Sequence, residues 1–510
     1  MSLSKVYIPY VFALILSSVT SNFYAQEKGD YIWFCGYESI QGSANFSGHT
    51  YDFNNKEKLV HNQELTYGFA RCNASISDKF GNLLIYTNGR GVFNKNHELI
   101  LNGDNLNNGE WTERFWPNPK EGYPGPQDIL ILNNPNNENQ FYILHKTRVY
   151  YPIGYDSTEI RISLVDLTKN NGLGEVLFKN EYFYLTQNLL VSYLSAIRHE
   201  NQRDWWILQP TNSTKIKTFL IDASGINVMQ DQDAYHRFTA EKSSSSGTAR
   251  FSPDGRQYAI YNETDNLLIY DFDRATGTLT FKKKMVPIDT SGIGIFCSVE
   301  WSPNSRFIYT ATSYYLHQID TWEEDDSKAI QLIDTYDGTL DPFRTSFFLM
   351  VLGPDCKIYM TPVDGSYSIH VINHPNELGK ACDFVQNGIK LPNANAGGLP
   401  NFPRLRVDEE EKCDPTISSI FGETVYYRKD LQVYPNPTSA DITVEIPEQL
   451  GTANLVVTDI NGKIWMQREI QHTTIEAMDL SSMPSGHYNV EIYPVVNKER
   501  IFYSKQVVKI

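Results

Sequence analysis

Short apolar or alternating runs, each closed by a cluster of Gly, Asn, Asp, Ser or Pro, recur along most of this chain. The plainest copy is Phe251-Ser-Pro-Asp-Gly255, followed by Arg-Gln-Tyr-Ala-Ile-Tyr. It returns as Trp301-Ser-Pro-Asn-Ser305 before Arg-Phe-Ile-Tyr-Thr, and as Leu352-Gly-Pro-Asp-Cys356 before Lys-Ile-Tyr-Met-Thr. Each copy reads as strand, tight turn, strand. The turn prolines Pro253, Pro303 and Pro354 set a period near 50 residues, the length of one sheet in a radial repeat. Weaker copies begin near residues 74, 128 and 194. The pattern predicts an all-β chain built on a β-propeller over residues 26–407. Seven blades fit best, with six or eight open. The seventh would take Tyr31–Cys35 from one end and Gly398–Leu405 from the other, which removes free sheet edges.

The last 80 residues change rhythm. Residues 408–430 carry the charge run Asp408–Lys412 and read as a linker. Residues 431–510 show alternating strands with Asn461-Gly462 as a hairpin turn, the pattern of a small C-terminal β-sandwich. At the other end, Lys5 precedes the apolar run Val6–Leu16, and small or polar residues lead to Ala25. That run is too short to span a membrane, so residues 1–25 read as a signal peptide and no transmembrane segment is expected. Secretion permits disulfides. Cys35 with Cys72 and Cys356 with Cys382 are conceivable pairs, beside the alternative of reduced, buried thiols.

The net charge of −16 lacks the basic footprint that nucleic acid requires. HExxH, GxSxG and glycine-rich phosphate loops are missing, and Ser75–Gly81 lacks the spacing and the Trp of an Asp box. No cofactor and no metal site is expected, and a monomer is. Asp271, Asp273 and Gly277 read as a strand-end turn. His370 and His374 lie four apart on a strand-and-loop stretch, which does not place them on one face.

Candidate ligand contacts are aromatic. Residues 104–127 interrupt the repeat with Trp111, Trp116, Tyr123 and four prolines. Tyr150, Tyr151 and Tyr155 follow in a second loop. Rings exposed there would stack on a sugar or a peptide side chain; otherwise they pack the loop onto the ring. Arg198 and His199 are further candidates beside Trp205 and Trp206, one of which is expected in the core and one at the blade surface.

The C-terminal unit resembles the type A sorting domain of the type IX secretion system of Gram-negative bacteria. The residues that carry this are Tyr434-Pro435-Asn436-Pro437, Gly462-Lys463, Gly486-His-Tyr488 and Lys505-Gln-Val-Val-Lys509. Ile510 after Lys509 is a small departure. The resemblance implies export through the inner membrane, handling by the type IX machinery and passage to the cell surface or beyond. Residues 30–405 resemble a group of secreted propellers through Ala74–Asp78, Gly81–Tyr86, Asn171–Gly174, Asp204–Trp206, Phe251–Gly255, Tyr270–Asp273 and Gly398–Phe402. That likeness implies fold and location and assigns no reaction. The expected function is a surface or secreted binding or adhesion propeller for a glycan or protein ligand. The alternative is a propeller-based glycan- or peptide-active hydrolase or lyase, which ionisable groups lining the channel would favour.

Overall fold

The computed structural model describes residues 28–37, 47–55, 59–63, 67–149, 157–184, 189–238, 247–287, 296–407, 427–446, 452–459, 463–471, 474–494 and 501–510. Two compact units divide the chain, Met1–Ser418 and Ser419–Ile510. The proposed signal peptide and Cys413 lie outside the described residues.

Among the described residues the first unit holds seven antiparallel sheets in chain order. Their first strands are Ile32–Gly36, Ala74–Ser77, Ile129–Asn134, Ser195–Arg198, Thr248–Phe251, Ser298–Trp301 and Phe347–Leu352. The recurring turn explains the hairpins. Ser252 Oγ accepts the Gln257 N–H at 2.9 Å and Asp254 Oδ1 accepts that of Arg256 at 3.0 Å. Ser302 and Asn304 do the same for Phe307 and Arg306 at 2.8 and 3.1 Å. The last turn residue is left-handed in all three copies, with φ of 70° at Gly255, 59° at Ser305 and 63° at Cys356. Only the first copy fills it with the residue that bears this most easily.

Each pair of neighbouring sheets shares an apolar seam. Trp206 and Phe251 belong to the fourth–fifth seam, Trp301 and Ile269 to the fifth–sixth, and Tyr309 and Met350 to the sixth–seventh. Trp33 and Tyr51 of the first sheet pack with Phe348 and Tyr359 of the seventh, so the ring closes as a β-propeller. The inner strands Ala74–Ser77, Ser195–Arg198, Thr248–Phe251, Ser298–Trp301 and Phe347–Leu352 are buried along their whole length, whereas an outer strand such as Thr278–Met285 alternates between buried and exposed positions.

Closure uses the segment after the seventh sheet. The Ala396 N–H donates to Gly36 at 2.8 Å. Asn401 Nδ2 donates to the carbonyls of Ile129 and Leu194, both at 3.0 Å. Arg404 bridges Ile197 in parallel register, and Arg406 Nη2 reaches Asp30 Oδ2 at 2.9 Å. The segment therefore meets the first sheet at both of its ends and also runs against the inner strands of other sheets.

The second unit is a sandwich. A five-stranded sheet packs on the three-stranded sheet of Gln432–Tyr434, Asp441–Glu445 and Ile475–Asp479. Val444 and Ile442 of the small sheet meet Leu455, Val490 and Val507 of the large one. Tyr427–Asp430, expected in the linker, pairs in parallel with the last strand, Ile501–Lys509.

The two cysteine pairings do not form. Cys35 and Cys72 are buried free thiols in different seams, packed as small hydrophobes. Cys382 is also a free thiol, whereas Cys356 is disulfide-bonded.

Candidate functional site

The seam between the first and second sheets is narrow, built on Phe34, Phe69, Tyr86 and Phe93. Beside it opens a groove of about 760 Å³, within the size range of small-ligand sites. Its floor is aromatic. Phe34 stacks on Tyr86 with centroids 4.2 Å apart, and the His97 ring stands edge-on to Phe34 at 5.2 Å.

Two turns build its walls. Asp78 Oδ1 accepts the N–H groups of Phe80 and Asn82 at 2.8 and 2.9 Å, and Gly81 takes φ 87°. This local fold sets Phe80 at the groove with 67% of its surface exposed. Asn54, from the first sheet, donates Nδ2 to the Gly81 carbonyl at 2.9 Å and ties the two turns together. The left-handed φ favours glycine at position 81, and a Cβ there would also push the Asn54 amide, whose Oδ1 it would meet at 2.3 Å.

His97 lies at φ 65°, and its Nδ1 is buried with no partner among the described residues. Burial lowers its pKa, so the ring is neutral at neutral pH and offers one donor and one acceptor. Asp52, His61 and Asn96 complete a polar rim. An exposed ring beside amides, the Asp52 carboxylate, the Lys95 ammonium and two imidazoles suits a ligand with apolar faces and many hydroxyls.

The residues expected from sequence lie elsewhere. The 104–127 insertion contains a helix, Glu110–Phe115, and packs inward. Trp111 is only 6% exposed and meets Tyr123 edge-on at 6.1 Å. Tyr123 is fully buried; its hydroxyl accepts the Arg148 N–H at 2.8 Å and its carbonyl the Cys72 N–H at 3.0 Å. Trp116 is half-buried, with Nε1 donating to Gly122 at 2.7 Å. The expectation of exposed rings thus fails at Trp111 and Tyr123, because the helix and these bonds turn the insertion into part of the seam between the second and third sheets. Tyr150, Tyr151 and Tyr155 lie outside the described residues.

Arg198 and His199 secure a hairpin turn. The Arg198 guanidinium lies 3.8 Å from the Trp205 ring centroid, and the His199 ring stacks on Trp206 at 5.5 Å. Both tryptophans are buried, since Trp205 Nε1 reaches Asn133 of the third sheet and Trp206 Nε1 reaches Arg274 beside the fifth, at 3.1 and 2.7 Å. No ring is left for the surface.

The centre of the ring does carry ionisable groups, but they bind one another. Glu300 receives Arg250 Nε at 3.4 Å and Arg404 Nη2 at 3.1 Å. Asn401 Oδ1 accepts from Arg250 Nη1 at 2.7 Å. A cavity of about 40 Å³ remains beside them. No group of three or more His, Cys, Asp or Glu suited to a metal ion occurs among the described residues.

In the second unit, the motif residues hold the last strand. Asn436, between Pro435 and Pro437, accepts the Val508 N–H at 2.9 Å and donates Nδ2 to the Gln506 carbonyl at 2.7 Å, as a neighbouring strand would. Lys505 pairs with Val490 and Gly486 with Lys509. Lys509 Nζ donates to the carbonyls of Ser481 and Met483, and the Tyr488 hydroxyl to Pro484 at 2.8 Å. Gly462 lies outside the described residues.

Residues 432–509 match the family model of the secretion system C-terminal sorting domain. The protein is therefore a β-propeller that a type IX sorting tail directs to the cell surface or the extracellular space. No described helix is long and apolar enough to cross a membrane.

Solved structures show distant likeness. A putative 6-phosphogluconolactonase from Bacteroides uniformis is 11% identical, with 72% of this chain and 98% of that one covered and a TM-score of 0.42. A periplasmic gluconolactonase from Pseudomonas aeruginosa is 10% identical, with 88% and 99% covered and a TM-score of 0.33. A β-propeller domain from Myceliophteria thermophila is 14% identical, with 66% and 90% covered and a TM-score of 0.34. No curated protein matches the chain.

Proposed function

We propose that this protein is an extracellular binding propeller and that the groove between its first two sheets takes a neutral glycan. The exposed Phe80 ring, held among the side chains of Asn54, Asn82 and Asn96 by its own turn, carries this reading. A sugar ring offers an apolar face for stacking and hydroxyls for the amides. The tail accounts for how such a module meets a ligand outside the cell. In this reading residues 1–25 are the signal peptide that starts export from a Gram-negative cell, and the exported chain works as a monomer.

A glycan and peptide array with wild type and Phe80→Ala tests it. Loss of the exposed ring should weaken binding by about 1–3 kcal/mol and leave the melting temperature unchanged. Equal array signals from both proteins would sink the groove. Conversion of an arrayed glycan or peptide, in place of simple retention, would favour the hydrolase or lyase alternative.

A further inference from the structure

Charged side chains wall the cavity of about 40 Å³ at the centre of the ring. Asp30, Arg250, Glu300, Arg404 and Arg406 all line it. Arg250 and Glu300 stand on the inner strands Thr248–Phe251 and Ser298–Trp301. Arg404 and Arg406 come from the closing segment, whose backbone bridges Ile197 at Arg404. The cavity is a few times larger than one water molecule needs and far too small for a sugar.

Asp30 and Arg406 pair one to one, with Nη2 2.9 Å from Oδ2. Glu300 is instead shared. Its Oε2 lies 3.4 Å from Arg250 Nε and its Oε1 3.1 Å from Arg404 Nη2. The same two oxygens accept the N–H groups of Leu352 at 3.2 Å and Trp301 at 2.9 Å. One fixed carboxylate thus faces two guanidinium groups, and arginine cannot shed its proton to restore balance. The side chains of Arg250, Arg404 and Glu300 are 8%, 14% and 2% exposed, so bulk water screens the surplus cation poorly. Burial lowers the Arg250 pKa; Glu300 opposes this, and the charge of Arg404 adds to it. Arg250 Nε is buried and meets no acceptor in hydrogen-bonding geometry among the described residues.

We propose that this cavity binds one monovalent anion of about the size of chloride between Arg250 and Arg404, and that the anion fastens the closing segment to the inner strands of the ring. The site is separate from the groove beside Phe80. An anion there balances the second guanidinium and accepts charge-assisted hydrogen bonds. Both arginines are held in place without it. Arg250 gives Nη1 to Asn401 Oδ1 at 2.7 Å, and Arg404 gives Nη2 to the Phe251 carbonyl at 2.8 Å. Little ordering cost is therefore left for the binding step. In a chain of net charge −16 this is a local feature and not part of a general anion-attracting field.

Thermal melts of the full chain test the site, with chloride replacing gluconate at constant ionic strength; gluconate is too large for the cavity. The melting temperature should rise by about 1–2 °C for each tenfold increase in chloride above the dissociation constant, as mass action requires. Arg404→Gln leaves one guanidinium to one carboxylate and should abolish this dependence, whatever it does to the starting melting temperature. Arg250→Gln replaces it if Arg404→Gln does not fold. Glu300→Gln enlarges the surplus charge and should move the response to about tenfold lower chloride. A carboxylate that only supports the fold would lower the melting temperature without that shift. Phe80→Ala should respond as wild type does. A wild-type melting temperature indifferent to chloride, an undiminished response in a folded Arg404→Gln or Arg250→Gln, or an unshifted response in a folded Glu300→Gln would overturn the proposal.

Discussion

Arg404 Nη2 lies 3.1 Å from Glu300 Oε1, although 104 residues separate them. The other carboxylate oxygen faces Arg250 Nε at 3.4 Å. One buried carboxylate thus links the fifth and sixth sheets to the segment that closes the ring. Glu300→Ala leaves two buried guanidinium groups uncompensated and should cost about 3–5 kcal/mol. Chemical denaturation followed by tryptophan fluorescence measures this; an unshifted midpoint would mean that closure does not depend on Glu300.

Three buried histidines should make the propeller acid-sensitive. Burial lowers the pKa of His49 and His145 from 6.5 to about 3, and that of His370 to about 4. The unfolded chain takes up protons at all three below its ordinary histidine pKa, while the native state refuses them. Their contribution is therefore present above pH 6.5 and is lost as pH falls toward these folded values. Asp355 acts in the opposite sense, since burial raises it from 3.8 to about 6 and its contribution is lost as pH rises through that window. Three groups against one give a net loss on acidification. His49→Leu should flatten the dependence of unfolding free energy on pH by about one proton; an unchanged slope would contradict the assignment.

Trp111→Ala should destabilise the fold by about 3–5 kcal/mol, the usual cost of emptying a buried aromatic site. The ring sits in the seam with Tyr123 and beneath Arg148. A calorimetric melt decides it. An unchanged melting temperature would return Trp111 to the surface role expected from sequence.

The proposed export route has two steps with separable failures. Leu16→Arg places a charge in the apolar run of residues 6–16 and should hold the precursor in the cytoplasm. Deleting residues 432–509 removes the sorting domain and should leave a folded propeller inside the outer membrane. Fractionation and immunoblotting read both. Wild-type surface levels after the deletion would defeat the role assigned to the tail.

Much of the architecture was legible because it is locally encoded. The turns at Pro253, Pro303 and Pro354 and the apolar runs around them predicted hairpins, and the end segments of the first unit do meet, at Gly36 with Ala396 and Asp30 with Arg406. The motif around Asn436 likewise marked the sorting domain. The candidate site was less legible. Asp78-Lys-Phe80-Gly-Asn82 was visible as a turn, but nothing in the turn says that Asn54 and His97 stand beside it. Trp111 and Tyr123 drew attention as aromatic residues in a proline-rich insertion, and proline content does not report burial.

By itself the sequence determined the strand period, the turn chemistry and the address, because each depends on residues close together in the chain. Tertiary structure alone decided which rings are covered and which charges meet. A strand residue in this ring is buried or exposed according to the adjacent sheet, whose residues lie tens of positions away. That is why both Trp205 and Trp206 are hidden between sheets, Phe80 is left exposed, and Cys72 comes to share Tyr123 with Arg148.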